Sequence, residues 1–168
     1  MELDIRVQAE DFSVDDVLAG IRRRQREAGA VVSFVGLVRE RGQAMTGAID
    51  ACALEPSTPA LFLEHYPGVT ERSIEAIARE AGQRWPLLAV CVVHRVGWLA
   101  PSEQIVLVAA VSSHRHAAFS AAAFLMDYLK TEAVLWKKER NSDGAERWIE
   151  ATAADRDATK AWQLQPLG

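Results

Sequence analysis

The sequence predicts a single α+β domain, and three observations carry that expectation. Its 168 residues are 49% hydrophobic and 25% charged, which suits one globular core of ordinary size. Helical and strand periods alternate along the chain without an internal repeat. Strands also fall in consecutive pairs, in the order β-α-β-β-α-β-β-α-β-β with a short tail, which favours α+β over a doubly wound parallel sheet.

Each element has a local reason. Ile5-Arg6-Val7 alternates as a short strand. Ser13 and Asp16 form a capping signature around Val14, Val17, Leu18 and Ile21, whose spacing predicts a first helix ending near Gly29. Arg22, Arg23, Arg24 and Arg26 fall in its last turns, where cations complement the dipole, so a solvated helix end is the plainer reading than a binding patch. Residues 30–39 are rich in β-branched side chains and read as a strand, with Gly36 marking a bulge or a close backbone approach. Residues 41–60 carry Gly42, Gly47, Pro56 and Pro59 without a period, and are expected to form a mobile lid or a disordered insertion. A strand over 61–66 and a turn at Pro67-Gly68 lead to a second helix, with Ile74, Ile77, Ala78 and Ala81 on its apolar face and an end before Trp85-Pro86.

Residues 88–96 and 104–111 then read as core strands joined by a turn containing Gly97 and Pro101. Ser113 is expected to cap a third helix, whose stripe of Phe119, Ala122, Ala123 and Met126 runs to about Lys130. Residues 134–140 and 145–151 flank Asn141-Ser142-Asp143-Gly144, a turn signal for a C-terminal β-hairpin. The sum is three main helices with a mixed or antiparallel sheet.

Charge and composition exclude several function classes. With 19 Lys+Arg against 23 Asp+Glu the net charge is −4, so bulk electrostatics gives no case for nucleic acid or anionic membranes. The longest apolar stretches, 105–111 and 117–126, are far shorter than the roughly 20 residues of a membrane span. The acidic start Met1-Glu2-Leu3-Asp4 lacks the apolar region of a secretory signal, and a cytoplasmic protein is expected. Cys52 and Cys91 have no C-x-x-C spacing and read as reduced thiols rather than a disulfide or zinc site.

A few residues point to chemistry. Lys130 lies only about 20° round from Phe119 on the predicted buried stripe, where partial desolvation would favour the free amine that a general base or nucleophile needs. Snorkelling from the helix end is the plainer alternative. His114 and Arg115 stand at the start of a helix, where a bound phosphate or carboxylate would rationalise cations that the dipole otherwise repels; side chains turned to solvent explain them equally well. Trp136, Lys137, Lys138 and Arg140 put cations on both faces of a strand, with Arg147 on its hairpin partner, as surface ladders commonly do. No Ser/His/Asp order, P-loop, dinucleotide fingerprint or metal-ligand cluster is present.

Taken together, Leu63-Glu64-His65-Tyr66-Pro67-Gly68, Val93-His94-Arg95-Val96-Gly97, Ser113-His114-Arg115, Met126-Asp127-Tyr128-Leu129-Lys130-Thr131 and Trp136-Lys137-Lys138-Glu139 resemble the large, catalytic subunit of molybdopterin synthase over about residues 5–150. The resemblance implies an α/β-hammerhead-like single domain. It implies a homodimer of large subunits, each receiving a small ubiquitin-like sulfur-carrier subunit with a Gly-Gly thiocarboxylate tail, hence a heterotetramer. The reaction implied is conversion of cyclic pyranopterin monophosphate into molybdopterin by two sulfur deliveries that build the dithiolene, with neither metal nor cofactor required. By the same resemblance Lys130 and Lys137 are the catalytic lysines. Arg39, His114, Arg115 and Arg147 bind the substrate phosphate and neighbouring polar groups, and Arg147 reaches across the dimer. The backbone near Leu37-Val38 and Lys138-Glu139 lines the same pocket, and Gly36 leaves room for the incoming tail. Three departures stand out: the length of the 41–60 segment, Val134 where the family commonly has proline, and Leu37 where it often has a basic residue.

Two other classes compete with this reading. A non-catalytic module of the same fold would dock the small subunit without turnover, against which the joint presence of Lys130, Lys137, His114, Arg115, Arg39 and Arg147 counts. A small nucleic-acid-binding domain would need salt-dependent affinity for single strands, and the acidic balance counts against it.

Overall fold

The computed structural model describes residues 1–39 and 59–164. The insertion expected over 41–60 therefore lies, as far as residue 58, outside the described residues. Among the described residues, eight strands and four helices follow in the order β1 (Glu2–Gln8), α1 (Val14–Arg24), β2 (Ala30–Leu37), β3 (Ala60–His65), α2 (Val69–Arg84), β4 (Leu87–Arg95), β5 (Gly97–Leu99), β6 (Gln104–Ser112), α3 (Arg115–Thr131), β7 (Leu135–Arg140), β8 (Glu146–Ile149) and α4 (Ala153–Gln163).

The strands form two four-stranded sheets. The first, ordered β1-β4-β6-β2, is mixed: β1 runs parallel to β4, and β4 and β2 run antiparallel to β6. The second, β5-β3-β7-β8, is wholly antiparallel. Alternation along β4 and β6 explains the layers. Val90, Val92, Val108 and Ala110 face α2 and α3, where Ile74, Ile77, Phe124, Leu125 and Leu129 close one core. Cys91, Val93, Leu107, Ala109 and Val111 face the other way and pack under Phe12, Val17 and Ile21 of the α1 region. Both faces of the central strands are thus covered, as their near-continuous apolar sequences require. Val38, Leu63 and Leu99 form a small cluster that joins the second sheet to the first.

Most element boundaries agree with the sequence. The Ser13 hydroxyl accepts from Asp16 N–H (3.1 Å) to start α1, and the Glu71 carboxylate accepts from Gly68 N–H (2.6 Å) to start α2. The bulge expected at Gly36 is a register shift between Gly36 and Leu37. The hairpin turn closes through Asn141 N–H to Ala145 O and Gly144 N–H to Asn141 O, with Gly144 at φ 81°.

Five expectations are corrected. Helix α1 stops at Arg24 rather than near Gly29, because Gly29 N–H is drawn to Ser112 O (3.1 Å) as the chain enters β2. The N-cap of α3 is His114, not Ser113, and its N–H is met by the Ser112 hydroxyl (3.1 Å). The turn after β4 contains the short strand β5, which pairs with β3. The tail is a fourth helix, α4, started by a reciprocal Thr152–Asp155 capping box.

The fifth correction concerns α3. Its buried face is Ala117, Ala118, Ala121, Ala122, Phe124, Leu125, Tyr128 and Leu129, whereas Phe119 is 64% exposed. Alanines on several faces make the stripe ambiguous, and the large residues of the second half decide the rotation. Lys130 is consequently exposed at the edge of the buried face rather than on it. No helix among the described residues is long and apolar enough to cross a membrane.

Candidate active site

Where the two sheets meet, a cleft of about 720 Å³ opens between the end of β2, the last turns of α3, strand β7 and the segment entering α4. The bulge in β2 turns Leu37, Val38 and Arg39 along one wall. A Cβ at Gly36 would lie 2.9 Å from Val106 Cγ1, so the glycine lets strand and neighbour approach closely there. Val38 is buried, and its N–H and C=O are fixed by Glu103 O and Ser102 N–H.

Two lysines enter the cleft from different elements. Lys130 comes from the C-terminal end of α3, and its ammonium lies 3.4 Å from Asp155 Oδ1 of α4. Lys137 comes from β7, opposite the buried Leu63 of β3. Burial pushes the Lys137 amine below the ordinary lysine value; the Asp155 carboxylate opposes that effect and the Lys130 ammonium adds to it. The desolvated lysine of the site is therefore Lys137. Lys130, on which the sequence places the desolvation, keeps a side chain 48% exposed.

His94 of β4 and Asp155 also line the cleft, and sequence reasoning singled out neither as a site residue. His94 is buried and its Nδ1 lies 2.8 Å from Arg95 O, an acceptor, so Nδ1 carries the proton and Nε2 the lone pair. Burial lowers its pKa to about 4, and the charge of Lys137 acts in the same direction. Asp155 is held below the ordinary carboxylate value by the Thr152 hydroxyl, and further by the Thr152 N–H and Lys130; burial works against them. The sequence signal for Asp155 is Thr152-x-x-Asp155, a capping box in the tail. A buried neutral histidine leaves no such mark.

Of the residues named from sequence, Leu37, Val38, Arg39, Lys130, Lys137 and Glu139 come together in this cleft. Four do not line it. The Lys138 side chain lies on the opposite face of its sheet, because successive β7 residues alternate. Its ammonium sits 2.6 Å from Glu146 and over the rings of Phe62, Trp98 and Trp148 at 5.3–5.5 Å. Arg147 stands beside Glu139 at 3.7 Å with a largely exposed side chain. His114 and Arg115 start α3, at the opposite end from Lys130 and about 22 Å away along the helix axis. Within one chain they do not meet the lysines. Among the described residues no group of His, Cys, Asp and Glu side chains could hold a metal ion.

The arrangement can anchor an anion at Arg39, place two amines of unlike environment against one reacting centre, and keep part of that centre dry. Comparison with known proteins gives this geometry a family. The family model described as MoaE protein matches residues 7–132. A molybdopterin synthase catalytic subunit from Mesorhizobium japonicum is 47% identical over 160 residues, 95% of this chain and 92% of its own. The protein of that name from Escherichia coli is 44% identical over 161 residues, 96% of this chain and 99% of its own. The solved structure of molybdopterin cofactor biosynthesis protein E from Burkholderia multivorans superposes with a TM-score of 0.77 at 43% identity, covering 99% of this chain and all of that one. The match over three quarters of the sequence, together with relatives this similar over nearly its whole length, shows that the chain belongs to the MoaE protein family.

Proposed function

We propose that this chain is the catalytic subunit of a molybdopterin synthase and transfers sulfur to cyclic pyranopterin monophosphate in molybdenum cofactor biosynthesis. The observation that supports it best is the convergence of Lys130, Lys137 and Arg39 on one cleft, in a chain whose close relatives carry that name. Sulfur is delivered from the thiocarboxylate tail of a small ubiquitin-like subunit, and the backbone along Leu37-Val38 and Lys138-Glu139 guides that tail. Arg39 holds the substrate phosphate. Lys137, the more desolvated amine, moves protons at the reacting carbon, and Lys130 serves as acid/base or transient acyl acceptor while neutralising oxyanions that develop during transfer. A binding module without turnover is not favoured.

The proposal extends to assembly. His114, Arg115 and Arg147 complete phosphate binding from a second copy, since the first two stand about 22 Å from Lys130 in their own chain. The active unit is then a homodimer of this chain carrying two small subunits. A cytoplasmic setting accords with the free, buried thiol of Cys91.

The test mixes the protein with thiocarboxylated small subunit and cyclic pyranopterin monophosphate, and measures molybdopterin. Wild type forms product and Lys130→Ala, still folded, forms almost none. Product from neither, despite complex formation, would leave a docking module.

A further inference from the structure

We infer that Asp155 of α4 is a positioning residue for the lysine pair, which makes the C-terminal helix a working part of the active site. The inference rests on the sulfur-transfer reading above and concerns a segment that lies beyond the residues matched by the family model, which end at 132.

The geometry is specific. Asp155 Oδ1 lies 3.4 Å from the Lys130 ammonium, while its other oxygen, Oδ2, accepts from the Thr152 hydroxyl (2.6 Å) and the Thr152 N–H (3.0 Å). One oxygen is thus fixed by the helix cap and the other is presented to the cleft. The far end of α4 is tied down just as firmly. Trp162 Nε1–H donates to Asp127 Oδ2 (2.8 Å), Arg84 donates to Trp162 O (3.0 Å), and the Thr159 hydroxyl meets Thr131 and Asp127 O. The Trp162 ring packs edge-on against Trp85 and Phe124. Such anchoring is what a carboxylate needs if it is to hold a flexible lysine in one place.

Asp155 acts on both amines. Its ion pair restrains Lys130, and its field favours the ammonium form of Lys137 against burial. The other charged or titratable groups lining the cleft are Arg39 just after β2, His94 from β4, Lys137, Glu139 and Arg140 from β7, and Glu150 after β8. Against these, the Asp155 carboxylate stands 3.4 Å from the Lys130 ammonium. Removing its charge lowers the pKa of Lys137, so any limb of the pH–rate profile governed by that amine moves to lower pH.

The experiment compares wild type, Asp155→Asn and Asp155→Glu in the full chain with its small subunit. Asn keeps an oxygen for the helix cap but replaces the oxygen facing Lys130 with an uncharged NH2, and the Trp162 indole N–H signal reports whether α4 stays docked. In Asp155→Asn the lysine limb shifts down by about half a pH unit and kcat falls about three- to tenfold, while Asp155→Glu restores the limb. An unmoved limb with wild-type kcat overturns the inference, and so does a loss of rate equal at every pH. A second measurement needs neither turnover nor a folded α4 variant: the Asp155 carboxyl, followed by NMR, titrates at higher pH in Lys130→Met than in wild type, because the ion pair is reciprocal. An unchanged carboxyl midpoint there overturns the inference even if wild type makes no product, a result that would by itself count only against the sulfur-transfer reading.

Discussion

His94 shows how a single side chain ties the cleft to stability. Folded, it is buried and its pKa is lowered to about 4, against an ordinary value of 6.5. Between those values the unfolded chain binds a proton that the folded chain does not, so stability present near neutral pH is lost as the pH falls. The limiting size is about 3 kcal/mol, from about 1.4 kcal/mol per pH unit. Urea unfolding at about pH 7.5 and about pH 4.5 checks it: His94→Gln loses roughly 2–3 kcal/mol less on acidification than wild type does. Lys137 is the companion case at the same scale. Its amine is desolvated in a cleft whose other lysine is half exposed and carboxylate-paired, and two like groups in unlike environments divide acid from base roles. Lys137→Ala is accordingly expected to reduce product formation by at least about a hundredfold with the fold intact, measured in the same assay as Lys130→Ala.

At the scale of elements, the approach of β2 to the end of β6 is set by glycine. A Cβ at Gly29 would stand 2.2 Å from Ser113 O, a backbone atom that cannot step aside, while Gly29 N–H bonds Ser112 O. Gly29→Ala should therefore cost about 1–3 kcal/mol in thermal or urea unfolding. Gly36→Ala, which meets only the Val106 side chain, should cost less. The same elements show what the sequence reveals. The central strands are legible because Val, Leu and Ala runs leave no other place for them, and the hairpin because Asn141 to Gly144 leave no other turn. Helix α4 is signalled locally by its Thr152–Asp155 capping box and amphipathic spacing, but its docking is not legible, because it depends on Asp127, Thr131 and Arg84 far away in sequence. Lys130 is misplaced by sequence for a related reason: which alanine face of α3 is buried is settled by Phe124 and Tyr128 packing on α2 and α4, and no local pattern records that.

For the whole molecule, the helix that carries Lys130 into the cleft carries His114 and Arg115 away from it. On the dimer proposed above, a site needing all three is built from two chains, and a two-fold axis then makes two equivalent sites. That composition has a test independent of any interface model. Lys130→Ala and His114→Ala are each expected to be nearly inactive alone, because every site in either dimer lacks one group. When the two are unfolded and refolded together at equal amounts, half the dimers carry one copy of each, and such a dimer has one intact site and one doubly defective site. Activity should return to about a quarter of wild type, the fraction that random pairing allows. Mixing without subunit exchange should restore nothing, which separates complementation from simple addition. If co-refolded protein stays as inactive as its parents, His114 acts within its own chain; a His114→Ala parent that turns over normally would instead leave the phosphate to Arg39 and its neighbours in the cleft.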